Sequence, residues 1–204
     1  MGNISPPLIK KKLRVAVLIS GQGSNLQSII DACKDAAFPA QVSLVISNVE
    51  DAYGLTRAQN NNITTRIVSH KNRASKGEFE AQLLAELDKS DIDLVCLAGF
   101  MRILTPTFLL PWIGRIINIH PSLLPKFKGL DAHQRAIDSG DKESGCTVHY
   151  VTFGVDEGEI ILQRKVPILL GDTSETLSKR ILEQEHIAYP EAIRIMASKP
   201  LLYL

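Results

Sequence analysis

Ile113-Gly114-Arg115-Ile116-Ile117-Asn118-Ile119-His120-Pro121 is a mostly apolar run closed by a proline. It predicts a buried strand over residues 113–119. Proline has no N–H to give to the ladder of a central strand, so the strand ends by Pro121. Side chains two apart on a strand share a face, so Asn118 and His120 project together from its carboxyl end. In open parallel α/β sheets, ligands bind outside the carboxyl ends of the strands. A carboxamide beside a titratable ring at that place is a candidate reaction centre. The plain alternative is a buried, hydrogen-bonded histidine with no chemical part to play.

Upstream of this run, aliphatic stretches alternate with amphipathic ones. Residues 13–20 read as a strand buried on both faces. A glycine-rich turn and a helix over residues 26–34 follow. Strands are expected at residues 42–46, 65–68 and 93–98, and helices at 53–61 and 79–87. Thr105-Pro106 opens a short helix, with proline at its first position. Such alternation predicts parallel pairing with right-handed crossovers. The texture changes after His133. Residues 147–152 alternate in polarity, and residues 160–166 form a second extended run across a turn-rich link. These predict an antiparallel pair added to the sheet edge. Thr173-Ser174-Glu175-Thr176 then opens a long helix to about Met196. The expected fold class is α/β: a mostly parallel twisted sheet with an antiparallel C-terminal addition, one domain over residues 14–204.

The chain has 204 residues, 45% of them hydrophobic and 22% charged, with a net charge of +1. That balance argues against a nucleic acid or an acidic membrane recognised by bulk charge. No stretch approaches the ~18 apolar residues of a membrane span. Cys33, Cys96 and Cys146 are scattered, without C-x-x-C spacing, which suits a reducing, cytoplasmic setting and suggests no metal site. His70, His133, His149 and His186 lack metal-ligand spacing and read as structural or surface residues. Residues 1–13 are polar, with Pro6, Pro7 and three lysines, and read as a disordered leader or a linker cut from a longer polypeptide.

Gly21-Gln22-Gly23-Ser24-Asn25 sits between a strand and a helix. Glycines there let the backbone approach a ligand, and the N–H groups of the helix start suit phosphate. The dinucleotide fingerprint would need a third glycine where Leu26 stands and an acidic residue where Ser47-Asn48 closes the second strand. The loop therefore points to a single phosphate. Otherwise it is a tight turn in which Ser24 or Asn25 caps the helix. In Gly154-Val155-Asp156-Glu157-Gly158, Asp156 either makes an Asx-type turn or lies against His120 and raises its pKa. Ser122 lacks a nucleophile-elbow context, and Lys126 and Lys128 read as solvated.

Taken together, residues 17–27, residues 97–104, residues 118–125 and the Asp156 turn resemble the phosphoribosylglycinamide formyltransferases, the folate-dependent transformylases of purine synthesis. The resemblance runs in continuous order from about Arg14 to Ala197. It implies a Rossmann-like formyltransferase fold. It also implies transfer of a formyl group from 10-formyltetrahydrofolate, as cosubstrate, to glycinamide ribonucleotide, without metal, nicotinamide or flavin. By this resemblance the catalytic residues are Asn118, His120 and Asp156, with Asp156 keeping His120 cationic. Gly23, Ser24, Asn25 and Glu185 fall on the ribonucleotide site. Met101, Arg102, Ile103, Leu104 and Asn118 fall on the folate site, with Val151, Thr152, Phe153, Gly154 and Val155 closing it. A further basic folate contact falls on Arg73 or Lys76. The implied partners are small molecules, with no nucleic acid or membrane, and the lysine-rich leader fits fusion to other purine-synthesis domains. Two rival readings remain: another formyl-folate enzyme on the same fold, such as a formyl-folate hydrolase or a methionyl-tRNA formyltransferase, and a catalytically silent folate or phosphate carrier.

Overall fold

The computed structural model describes residues 11–71 and 75–199. Along the chain these form β1 (Leu13–Ile19), α1 (Ser24–Cys33), β2 (Ala40–Ser47), α2 (Tyr53–Asn60), β3 (Thr65–Ile67), α3 (Lys76–Asp88) and β4 (Leu94–Leu97). Then come α4 (Pro106–Leu109), a 3-10 turn (Leu110–Trp112), β5 (Ile116–His120), α5 (Ala132–Asp138), β6 (Glu143–Tyr150), β7 (Ile160–Pro167) and α6 (Ser174–Ser198). The sheet order is β3-β2-β1-β4-β5-β6-β7. The first five strands in that order are parallel; β6 runs antiparallel to β5, and β7 to β6.

Both faces of the sheet are covered, which is why its strands are aliphatic almost without break. Val15, Val17 and Ile19 of β1 pack with α1, α2 and α6 on one side. Ala16 and Leu18 pack with Phe79, Leu83 and Leu87 of α3 and Phe108 of α4 on the other. The long helix α6 begins in a capping box: Thr173 Oγ1 accepts from the Thr176 N–H at 3.2 Å and Thr176 Oγ1 from the Thr173 N–H at 2.9 Å. Its fully buried Tyr189 donates to the Leu97 carbonyl at 2.8 Å, with the Ile117 carbonyl at 3.2 Å, and so ties α6 to β4 and β5. Pro190 follows inside the helix, where it gives no N–H to the preceding turn.

The strand over residues 113–119 begins later than its hydrophobicity suggests. Ile113 is 45% exposed and Gly114 has φ 75°, because the chain is still leaving the 3-10 turn, with the Arg115 N–H on the Trp112 carbonyl at 2.8 Å. β6 starts at Glu143 rather than residue 147 and stops at Tyr150. Helix α5 has no counterpart in the sequence reading. Leu13 already lies in β1, its N–H on the Pro39 carbonyl at 2.9 Å, whereas residues 1–10 of the expected leader lie outside the described residues.

Candidate active site

From β1 the chain steps outward to β2 and β3, then returns to lay β4 and β5 on the opposite side of β1. The carboxyl ends of β1 and β4 therefore flank a crevice, the usual ligand position in an open α/β sheet. The Met101 N–H crosses it to Ser20 Oγ at 2.8 Å, and Ser20 donates to Asn48 Oδ1 at 2.6 Å. Asn48, at the end of β2, also reaches His70 Nδ1 at 3.3 Å. The residue that would be an acidic ribose ligand in a dinucleotide fold is here spent on holding loops together.

On the β1 side of the crevice, Gly23 has φ 67° and stands as the N-cap of α1, with no side chain capping the helix. Ser24 and Asn25 are inside the helix, so the expected cap by either is not formed. Asn25 instead donates to Glu185 Oε2 at 2.7 Å, and its Oδ1 has no partner among the described residues. Burial pushes the Glu185 carboxyl pKa up, although the Asn25 bond opposes it. The loop is braced from behind by α2. The Gly54 N–H donates to the Gly21 carbonyl at 3.0 Å, and Arg57 Nε donates to the Gln22 carbonyl at 2.9 Å. A side chain on Gly23 would put its Cβ 2.7 Å from Gly54 Cα. The Gly21 and Gln22 carbonyls are thus turned toward α2, and the helix start just beyond the carboxyl end of β1 has no side-chain cap.

At the end of β5, four polar side chains meet. His120 Nδ1 lies 3.2 Å from Asp156 Oδ2, and its Nε2 lies 2.9 Å from the Phe127 carbonyl oxygen. Asp156 Oδ2 accepts from the Gly129 N–H at 2.8 Å, so Asp156 latches two loops instead of closing its own turn. Its Oδ1 is 3.4 Å from His149 Nε2. That same Nε2 meets Asn118 Nδ2 at 3.2 Å, while His149 Nδ1 meets the Tyr150 carbonyl at 2.8 Å. A carbonyl only accepts, so the His149 proton belongs on Nδ1 and Nε2 takes one N–H of the Asn118 amide, leaving the other free. His149 is 2% exposed. It is a buried structural residue, as the sequence suggested, and it lies within this polar cluster against Asn118.

Burial pushes the Asp156 carboxyl up, but the neighbouring His149 ring, the Gly129 N–H that donates to it and the His120 ring hold its pKa below the usual range. For His120 the balance goes the other way. Burial lowers its pKa, and the Phe127 carbonyl and Asp156 only partly compensate. Asp156 thus acts on the ring in the expected direction, against burial. Both of its nitrogens face acceptors, Asp156 and the Phe127 carbonyl, an arrangement that the two N–H groups of an imidazolium satisfy.

The segments expected to hold folate lie beside this cluster. Met101 and Ile103 are 71% and 66% exposed, Arg102 is exposed, and Leu104 is buried with Phe108 and Leu109. Val151, Thr152 and Phe153 line a cleft of about 430 Å³ together with Leu109, Ile113 and Tyr150. Met101–Leu104 are not among its lining residues, but Leu104 joins it through the apolar layer that contains Leu109 and Val151. Gly154 is half-buried and Val155 exposed on the turn that presents Asp156. Of the two basic candidates, Arg73 lies outside the described residues and Lys76 is the first residue of α3.

Residues 13–193 match the family model described as formyl transferase. The chain belongs to the formyl transferase family. Phosphoribosylglycinamide formyltransferase of Haemophilus influenzae is 49% identical over 181 residues, covering 89% of this chain and 85% of that protein. The trifunctional purine biosynthetic protein adenosine-3 of Chironomus tentans is 51% identical over 189 residues, 92% of this chain but 14% of that protein. The chain thus spans about a seventh of the trifunctional relative it matches. The crystal structure of phosphoribosylglycinamide formyltransferase from Brucella melitensis superposes with a TM-score of 0.89 at 48% identity, covering 93% of this chain and 98% of that one. Like that neighbour, this formyl transferase has a Rossmann-like sheet with an antiparallel C-terminal end. Among its described residues no helix is long and apolar enough to cross a membrane.

Proposed function

We propose that this formyl transferase moves the formyl group of 10-formyltetrahydrofolate to the amine of glycinamide ribonucleotide in purine nucleotide synthesis. The observation that carries the proposal is the meeting of Asn118, His120 and Asp156 at one strand end, beside an uncapped helix start suited to a phosphate. Gly23, Ser24 and Asn25 hold the phosphate and Glu185 the ribose. Met101–Leu104 and Val151–Val155 enclose the folate, whose pterin ring enters the cleft lined by Val151–Phe153. The amine nitrogen attacks the formyl carbon, and the C=O becomes a tetrahedral oxyanion. The free N–H of Asn118 donates to that oxygen, a contact worth most as charge develops. The attacking nitrogen sheds a proton, which the His120 imidazole takes up directly or through water. Both N–H groups of the resulting imidazolium then have waiting acceptors, Asp156 and the Phe127 carbonyl. The proton passes to the leaving folate nitrogen as the C–N bond to folate breaks.

Losing one oxyanion donor typically costs on the order of a hundredfold in kcat. Asn118→Ala is expected to lower kcat by about that factor and His120→Ala, through the lost proton relay, by about a hundredfold or more, with both KM values within about threefold. Raised KM with unchanged kcat would make both residues binding groups only. The deciding experiment is a turnover assay with glycinamide ribonucleotide and 10-formyltetrahydrofolate, following the deformylated folate. Release that needs the amine supports the transferase; equal release without it supports a hydrolase; tight binding of both ligands with no release supports a silent carrier. The relatives occur both as a chain of similar length and as part of a much longer one. We infer that this chain serves in the same chemistry in either setting.

A further inference from the structure

Glu80 is a carboxylate 2% exposed, on the buried face of α3. A carboxylate so buried is costly unless its oxygens are hydrogen-bonded. Both oxygens accept from one residue far along the chain. The Thr105 N–H donates to Oε1 at 2.7 Å, and the Thr105 hydroxyl donates to Oε2. Thr105 is the N-cap of α4 and directly follows Met101–Leu104. The other end of that segment hangs on Ser20 Oγ through the Met101 N–H, and Ser20 is fixed in turn by Asn48. The segment is therefore pinned at each end by a polar side chain, while Met101, Arg102 and Ile103 between the pins stand exposed at the crevice. An apolar residue at position 80 would fill the core without the desolvation cost. What it could not do is fix a backbone N–H and a hydroxyl at one point, which is what charge-assisted bonds do well.

We propose that Glu80 is a positioning residue for the formyl-folate site, holding the backbone of Met101–Thr105 in the shape that receives the folate. The inference rests on the reading of Met101–Leu104 as the folate segment. In Glu80→Ala, the KM for 10-formyltetrahydrofolate is expected to rise about tenfold, while kcat at saturating folate and the KM for glycinamide ribonucleotide stay within about twofold. Glu80→Gln should recover most of the loss, because its Oε1 still accepts from the Thr105 N–H and its Nε2 donates to the Thr105 hydroxyl oxygen. An unchanged folate KM in the alanine variant overturns the proposal. So does a uniform fall in every kinetic constant, or a glutamine variant no better than alanine. If Glu80→Ala does not fold, Thr105→Val removes the hydroxyl alone, and a folate KM still at the parent value overturns the proposal equally. Calorimetric titration of the unaltered chain with a non-reactive formyl-folate analogue separates the two levels. No binding there defeats the folate reading itself; normal binding that Glu80 variants share defeats only the role of Glu80.

Discussion

Asp156 has φ 52°, in the left-handed region that residues with a Cβ seldom occupy. Such a conformation persists only where the surroundings hold it, and here the Gly129 N–H and His120 hold the carboxylate, with His149 packed beside it. The charge of Asp156 pushes the His120 pKa up against burial. Asp156→Asn keeps the size and an acceptor for Gly129 but removes that charge. The His120 imidazole should then titrate at lower pH than in the parent, read by NMR of the ring protons, and kcat should fall by about a hundredfold or more. An unmoved or raised midpoint would mean the carboxylate does not act on the ring. The sequence reveals Asn118 and His120 as a pair because the two-residue period of one strand puts them on one face. It does not reveal His149. In the antiparallel register of β5 and β6, Asn118 sits directly opposite His149, 31 positions on, and no local pattern encodes that register.

At the level of elements, the phosphate loop depends on two helices at once. α1 supplies the N–H groups, and α2 supplies the surface on which Gly21, Gln22 and Gly23 rest. Gly23→Ala strains a backbone at φ 67° and drives a Cβ into the Gly54 backbone, which cannot step aside as a flexible side chain could. Steady-state kinetics should show the KM for glycinamide ribonucleotide raised about tenfold or more, with the folate KM near its parent value, because the folate segments hang from other anchors. A rise in the folate KM alone would assign the loop elsewhere. The elements with long aliphatic runs or clear helical spacing are those the sequence shows best. α5 escapes because it is seven residues long, starts from Asp131 at φ 56°, and buries only Ala132 and Ala136. Two alanines four apart make a faint stripe, and a left-handed N-cap gives no familiar start signal. Residues 113–115 err in the opposite sense: they are apolar enough for a strand, but Gly114 turns there.

Across the whole molecule, a sheet covered on both faces leaves little wet interior, so its titratable groups are forced into helix faces and the strand ends beneath them. His120 on β5, His133 on α5 and His186 on α6 all have pKa values pushed below 6.5 by burial, with His120 adding to the effect on His133 and Arg57 to that on His186. The unfolded chain takes up protons on these rings near pH 6.5, whereas the folded chain resists until lower pH. Where the unfolded state binds more protons, stability rises with pH. The contribution of the three histidines is complete above pH 6.5 and is lost as pH falls toward their folded values. Glu185 opposes them, since burial raises its pKa above 4.5 and its ionisation weakens the fold as pH climbs. Asp156 and Asp172 are lowered from 3.8 and so matter only in stronger acid. Three groups against one predict that the melting temperature rises by on the order of a few degrees between pH 5 and pH 7 at fixed ionic strength. Glu185→Gln should steepen that rise, because it removes an opposing titration. A flat profile in the parent, or a slope unchanged by Glu185→Gln, would mean that the buried rings and the buried carboxyl do not set the acid response of this fold.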